Sequence, residues 1–136
     1  MGAKDGLILH FVSLHLHARE YEPMKIFLAQ LNPTIGAFAT NQKGVVAQVQ
    51  QATRDGADLV VVPELALGGY RPMDFGLKGD FVQRAQESLF ELMPYSHDLG
   101  IIIGLPWQEG SSLFNAAAFL HEGKLVKLAY KRDLPN

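Results

Sequence analysis

The chain has 136 residues, 48% hydrophobic and 19% charged, the balance of a globular protein and the length of one domain. Its 12 basic and 14 acidic residues leave a formal charge of −2, with no basic stripe or polycationic tail to draw it to nucleic acid or an anionic membrane surface. A small molecule is the expected partner, and the absence of cysteine excludes disulfides, thiolate metal sites and thiol nucleophiles together.

Gly6 to His17 is apolar, but His10, His15 and His17 interrupt it and no small-residue cleavage site follows. It reads neither as a signal peptide nor as a bilayer span, so a cytoplasmic location is expected by default. The three histidines are irregularly placed and share no acidic or cysteine partner, and no metal site is expected from them. Met1 to Pro23 lacks the strand-helix texture of the rest and reads as an appendage outside the fold, with the native start at Met24.

From Met24 the pattern becomes regular. Lys25 to Leu31 is an apolar run of strand length that Asn32-Pro33 breaks. Thr40 or Asn41 is placed to cap a helix whose apolar face carries Val45, Val49 and Ala52, and Asp55-Gly56 is placed to close it. A second strand follows over Asp58 to Val62. From Asp80 to His97 a second helix presents Phe81, Ala85, Leu89 and Leu92 or Met93, until Pro94 disturbs its last turns. Ile101 to Ile103 is a third buried strand, stopped by Gly104. Leu113 to Leu120 and Lys124 to Tyr130 then flank His121-Glu122-Gly123 as a β-hairpin. This order predicts an α/β protein with helices covering a sheet and antiparallel character at one side.

Ligands of α/β sheets collect at the carboxyl ends of strands, and Glu64 stands just beyond such an end in Pro63-Glu64-Leu65. With Val62 and Leu65 beside it, partial desolvation would poise this carboxylate as a general base; a capping or surface-paired glutamate explains the residue equally well. Lys131, at the end of the last strand, is of a type that holds an oxyanion by charge and hydrogen bonding. Spacing alone does not separate it from Lys127, or either from a solvated surface lysine.

Taken in order, Pro63-Glu64-Leu65, Gly69-Tyr70, Ile103-Gly104-Leu105-Pro106, Phe114-Asn115-Ala116-Ala117-Ala118, Gly123-Lys124 and Tyr130-Lys131 resemble the nitrilase superfamily of carbon-nitrogen hydrolases. The likeness covers Met24 to Asn136. Lys131-x-x-Leu134-Pro135-Asn136 and Gly69-Tyr70-Arg71-Pro72-Met73-Asp74 resemble one branch in particular, the glutaminase domain of glutamine-dependent NAD synthetases. Asp133 departs from that pattern, standing where a histidine or threonine is more usual.

The resemblance implies the first part of a nitrilase-type four-layer α-β-β-α sandwich. It implies a Glu-Lys-Cys triad with Glu64 as general base and Lys131, not Lys127, supporting the oxyanion, and it sets Tyr70 beside the glutamine pocket. A half-buried loop aromatic is an equal reading of Tyr70. Glutamine is the implied substrate, and association into homo-oligomers is implied too. No cofactor is expected for the glutaminase part; ATP and magnesium belong to a synthetase domain absent from these residues. With no cysteine, the chain by itself is expected to be inactive. A stand-alone amidase fragment and a non-catalytic remnant or interaction module are the alternative readings.

Overall fold

The computed structural model describes residues 7–10, 22–69 and 79–131, the first four by their backbone path. Three strands rich in branched apolar residues form its parallel centre: β2 (Lys25–Leu28), β3 (Leu59–Val62) and β4 (Gly100–Glu109). β2 and β3 run parallel from Ile26↔Leu59 to Leu28↔Val61, and β3 and β4 from Leu59↔Gly100 to Val62↔Ile103. β5 (Ser112–His121) and β6 (Lys124–Tyr130) extend the sheet antiparallel. Their connection is the expected hairpin turn, with Glu122 at φ 50° and Gly123 at φ 72°. Positive φ at both central residues matches the twist of the flanking strands.

With β1 (Leu7–His10), the sheet has 6 strands among the described residues, in the order β1-β2-β3-β4-β5-β6. It pairs antiparallel with β2 from Leu7↔Leu28 to His10↔Lys25. This corrects the expectation that everything before Met24 lies outside the fold. The physical reason is that without β1 the outer edge of β2 would present unpaired N–H and C=O groups, which a neighbouring extended segment satisfies.

α1 (Phe38–Arg54) starts earlier than Thr40 or Asn41 would place it: its cap position is Ala37, with no side-chain cap. Asn41 lies inside the first turn and turns its carboxamide elsewhere. Its Oδ1 accepts the Thr34 N–H at 2.9 Å, while Nδ2 donates to the carbonyls of Thr34 at 2.7 Å and Leu67 at 2.9 Å. Three tertiary bonds take the place of one cap. The helix closes where Asp55-Gly56 predicts, with Gly56 at φ 70°. α2 (Gly79–Leu92) tightens into a 3-10 helix over Met93–Ser96, where Pro94 falls. Its ring removes one donor of the α pattern, so the expected helix to His97 loses its regular last turns.

β4 does not stop at Gly104 but runs through it to Glu109, 10 residues in all. A glycine ends a strand only when its backbone turns; here the backbone stays extended and the missing side chain makes room for a neighbour.

Val45, Val49 and Ala52 of α1 and Leu89 and Leu92 of α2 join Val60, Ile101, Ile103, Leu105 and Leu120 in one buried cluster. Both helices therefore cover the same face of the sheet. Leu59, Val61, Ile102 and Phe119 alternate with these residues and point to the opposite face, where they are only half-buried. No described helix is long and apolar enough to cross a membrane.

Candidate active site

Glu64 sits on a turn that the rest of the structure holds tightly. After Val62 the chain breaks at Pro63 and enters a turn in which Leu65 has φ 55°. Positive φ is costly for a residue with a branched side chain and persists only where the surroundings impose it. Three features do so. The Leu65 N–H donates to the Gly104 carbonyl at 3.2 Å, the Gly69 N–H donates to the Leu65 carbonyl at 2.8 Å, and the Gly36 N–H donates to the Gly68 carbonyl at 3.0 Å. Ala66 and Leu67 are buried beneath the turn, so its apolar side is anchored while Glu64 stays exposed.

That exposure corrects the expectation of partial desolvation. The carboxylate emerges where the sheet face has no covering layer among the described residues, and Val62 and Leu65 do not enclose it.

Asn115 reaches Glu64 from β5: its carboxamide Nδ2 donates a short hydrogen bond to Glu64 Oε1. The backbone of Asn115 engages Lys131 as well, its carbonyl accepting the Lys131 N–H at 2.9 Å. One residue thus ties the turn after β3 to the end of β6. Glu64, Asn115 and Lys131 line a single open pocket of about 400 Å³, floored by Ile102, Gly104, Ala117 and Ala129. Lys131 is exposed at its rim. Lys127 lies four residues back on β6, roughly 13 Å away at strand rise, and is not among the pocket's lining residues.

Tyr130 flanks the site from β6. Its ring stacks on Phe114 with centroids 4.4 Å apart, and its hydroxyl donates to Glu109 Oε2 at 3.2 Å. Desolvation, and after it the hydrogen bond and negative charge of Glu109, hold the phenol above the ordinary tyrosine value. Proton loss would create an anion facing a carboxylate.

Of the residues singled out from sequence, the structure brings Glu64 and Lys131 to one pocket. Tyr70, His15, His17 and Asp133 lie outside the described residues, and His10 is described by its backbone alone. No group of three metal-ligating side chains is assembled among the described residues. Sequence reasoning missed Asn115 and Gly104 as site residues. Both stood in landmark motifs, and the available signal was a lone carboxamide in the otherwise apolar run Phe114 to Leu120.

A protein-family comparison matches residues 25–136 to the carbon-nitrogen hydrolase family. The chain is 35% identical over 116 residues to a glutamine-dependent NAD(+) synthetase of Xylella fastidiosa, covering 85% of this chain and 21% of that protein. To its counterpart in Synechocystis it is 40% identical over 120 residues, again covering 21% of the relative. The chain therefore spans about a fifth of the length of these relatives.

Among solved structures, the glutamine-dependent NAD+ synthetase of Acinetobacter baumannii superposes with a TM-score of 0.76 at 31% identity, over 83% of this chain and 22% of that one. The synthetase of Cytophaga hutchinsonii gives a TM-score of 0.80 at 24% identity, over 83% of this chain and 20% of that one. An amidase of Nesterenkonia gives 0.76 at 22% identity over 91% of this chain and 48% of that one, a likeness of fold alone. The Nesterenkonia amidase has an active-site cysteine, and this chain has none. The sheet, the helices and the match over residues 25–136 agree: the chain belongs to the carbon-nitrogen hydrolase family, the nitrilase superfamily, and is similar to the N-terminal part of glutamine-dependent NAD synthetases.

Proposed function

We propose that these residues are the glutamate-and-lysine part of a glutaminase unit that releases ammonia from glutamine for the amidation step of NAD synthesis. The observation that carries this reading is that Glu64 and Lys131, far apart in sequence, line one pocket at the ends of β3 and β6. In the proposed chemistry Glu64 takes the proton of a cysteine thiol, and the thiolate attacks the amide carbonyl. The Lys131 ammonium and its hydrogen bonds support the oxyanion that forms. Collapse breaks the C–N bond, and the departing ammonia takes the proton from Glu64. Water, deprotonated by the same carboxylate, then cleaves the thioester and regenerates the thiol.

The 136 residues supply the base and the cation but no thiol. The chain by itself is therefore proposed to be inactive as an amidase. ATP and magnesium would serve the synthetase step, for which no residue of this chain is assigned.

The test is a chimaera in which residues 25–136 replace the matching segment of the Synechocystis synthetase. Glutamine-driven NAD formation is expected, with Glu64→Gln and Lys131→Met each abolishing it while ammonia-driven formation continues. A chimaera that uses ammonia but is unaffected by either substitution would overturn the assignment.

A further inference from the structure

We propose that Asn115 is a positioning residue for the general base: it fixes which oxygen of Glu64 faces the reacting groups and couples that carboxylate to the strand end carrying Lys131. This rests on the reading of Glu64 as the base. Three observations bear on it, each from a different part of the fold.

The first is the hydrogen bond itself. Asn115 Nδ2 donates to Glu64 Oε1, which engages one of the two carboxylate oxygens, and both residues line the pocket. A carboxamide suits this role better than a lysine or a histidine. It donates without carrying charge and has no proton to lose at ordinary pH, so it orients the carboxylate and never competes with the thiol or the water as a proton source. Holding an exposed glutamate in one rotamer matters because Glu64 is otherwise free to turn in solvent, and a base misplaced by about 1 Å loses roughly 100-fold in rate.

The second is the backbone of the same residue, whose carbonyl accepts the Lys131 N–H at 2.9 Å. Side chain and main chain of Asn115 therefore point to the two residues of the proposed pair, and their separation is set through one position on β5.

The third is the cross-strand partner. Asn115 is registered opposite Pro106 on β4, which has no N–H. The backbone groups of Asn115 face β6, as its bond to Lys131 shows, so the proline leaves no donor or acceptor of Asn115 unpaired on the β4 side. The strand can carry its one carboxamide at the level of Glu64 with the ladder toward Lys131 intact.

The experiment uses the 136-residue chain and NMR, and it reads side-chain geometry independently of any amide chemistry. Failure of the chimaera described above would leave its result standing, and the reverse holds too. In Asn115→Ala the Glu64 side chain is expected to lose its single rotamer, seen as averaging of its χ1 couplings, while exchange of the Lys131 amide proton stays unchanged. In Glu64→Ala the Asn115 carboxamide protons are expected to move toward their random-coil shifts, and in Glu64→Gln, which keeps an acceptor, to stay displaced from them. Unchanged Glu64 couplings in Asn115→Ala would overturn the proposal. So would faster Lys131 exchange in that variant, because the strand itself would then have moved. If Asn115→Ala does not fold, the exposed Glu64→Ala still decides: an unmoved Asn115 carboxamide overturns the proposal.

Discussion

The backbone of Glu64 rests on Gly104: a Cβ built on this glycine would stand 3.0 Å from the Glu64 Cα and 3.5 Å from the Leu65 nitrogen. The contact is with main chain, which cannot swing aside as a side-chain tip can. Gly104→Ala is therefore expected to push the turn away from β4, stretching the 3.2 Å bond from Leu65 to the Gly104 carbonyl. The overpacking cost is about 1–3 kcal/mol, read as a lower denaturant midpoint, with faster exchange of the Leu65 amide.

Asn41→Ala tests the other support of the same loop. The side chain is buried, 7% exposed, and its loss leaves the Thr34 N–H and the Leu67 carbonyl without their partner, while the Thr34 carbonyl keeps the Ala37 N–H at 3.1 Å. The Leu67 carbonyl is the buried one, and a buried group left unsatisfied costs roughly 1–3 kcal/mol, expected as a lower denaturant midpoint at unchanged slope. Asn41→Ser is expected to restore little, because a hydroxyl does not reach all three groups.

Tyr130 carries a pH dependence whose sign follows from its surroundings. Its phenol titrates above the ordinary tyrosine value in the folded chain, so the protonated form is favoured by folding. The associated stabilisation is fully present below the unfolded value of about 10 and is lost as pH rises through the raised folded value. NMR of the Tyr130 ring is expected to show phenolate appearing later than in a denatured control. Glu109→Gln is expected to bring the midpoint part of the way down, since desolvation, the largest cause, remains.

Deleting residues 1–23 removes β1 and uncovers the edge of β2 from Lys25 to Leu28. The shortened chain is expected to unfold at lower temperature and to aggregate faster on heating, as unpaired edges do. An unchanged thermal midpoint would show that β1 contributes nothing to the sheet.

The face of the sheet opposite the helices carries half-buried Leu59, Val61, Ile102 and Phe119. Contiguous apolar surface of this kind drives association. The isolated chain is expected to self-associate in light scattering, and Val61→Lys to lower its apparent mass. A monomer with a sharp unfolding transition would contradict this.

From β2 to β6 the order of elements was legible in the sequence, because that information is local. Runs such as Leu59 to Val62, the helical spacing of Val45, Val49 and Ala52, and the glycine at Gly56 and Gly123 each state a backbone preference within a few residues. The ordered landmarks from Pro63-Glu64-Leu65 to Tyr130-Lys131 likewise made the family legible and the absence of a thiol plain. The features that were not legible there involve partners distant in the chain. Asn41 reads as a cap until Leu67 is brought beside it, and Gly104 reads as a stop until Glu64 is laid against it. Met1 to Pro23 reads as an appendage until β1 meets β2. The pocket itself depends on β4 and β5 lying between the turn after β3 and the end of β6, which puts Asn115 within hydrogen-bond reach of residues 51 positions before it and 16 after it. No local propensity encodes that reach; it follows from strand order and register, which are fixed by burial of one face of the sheet against two helices.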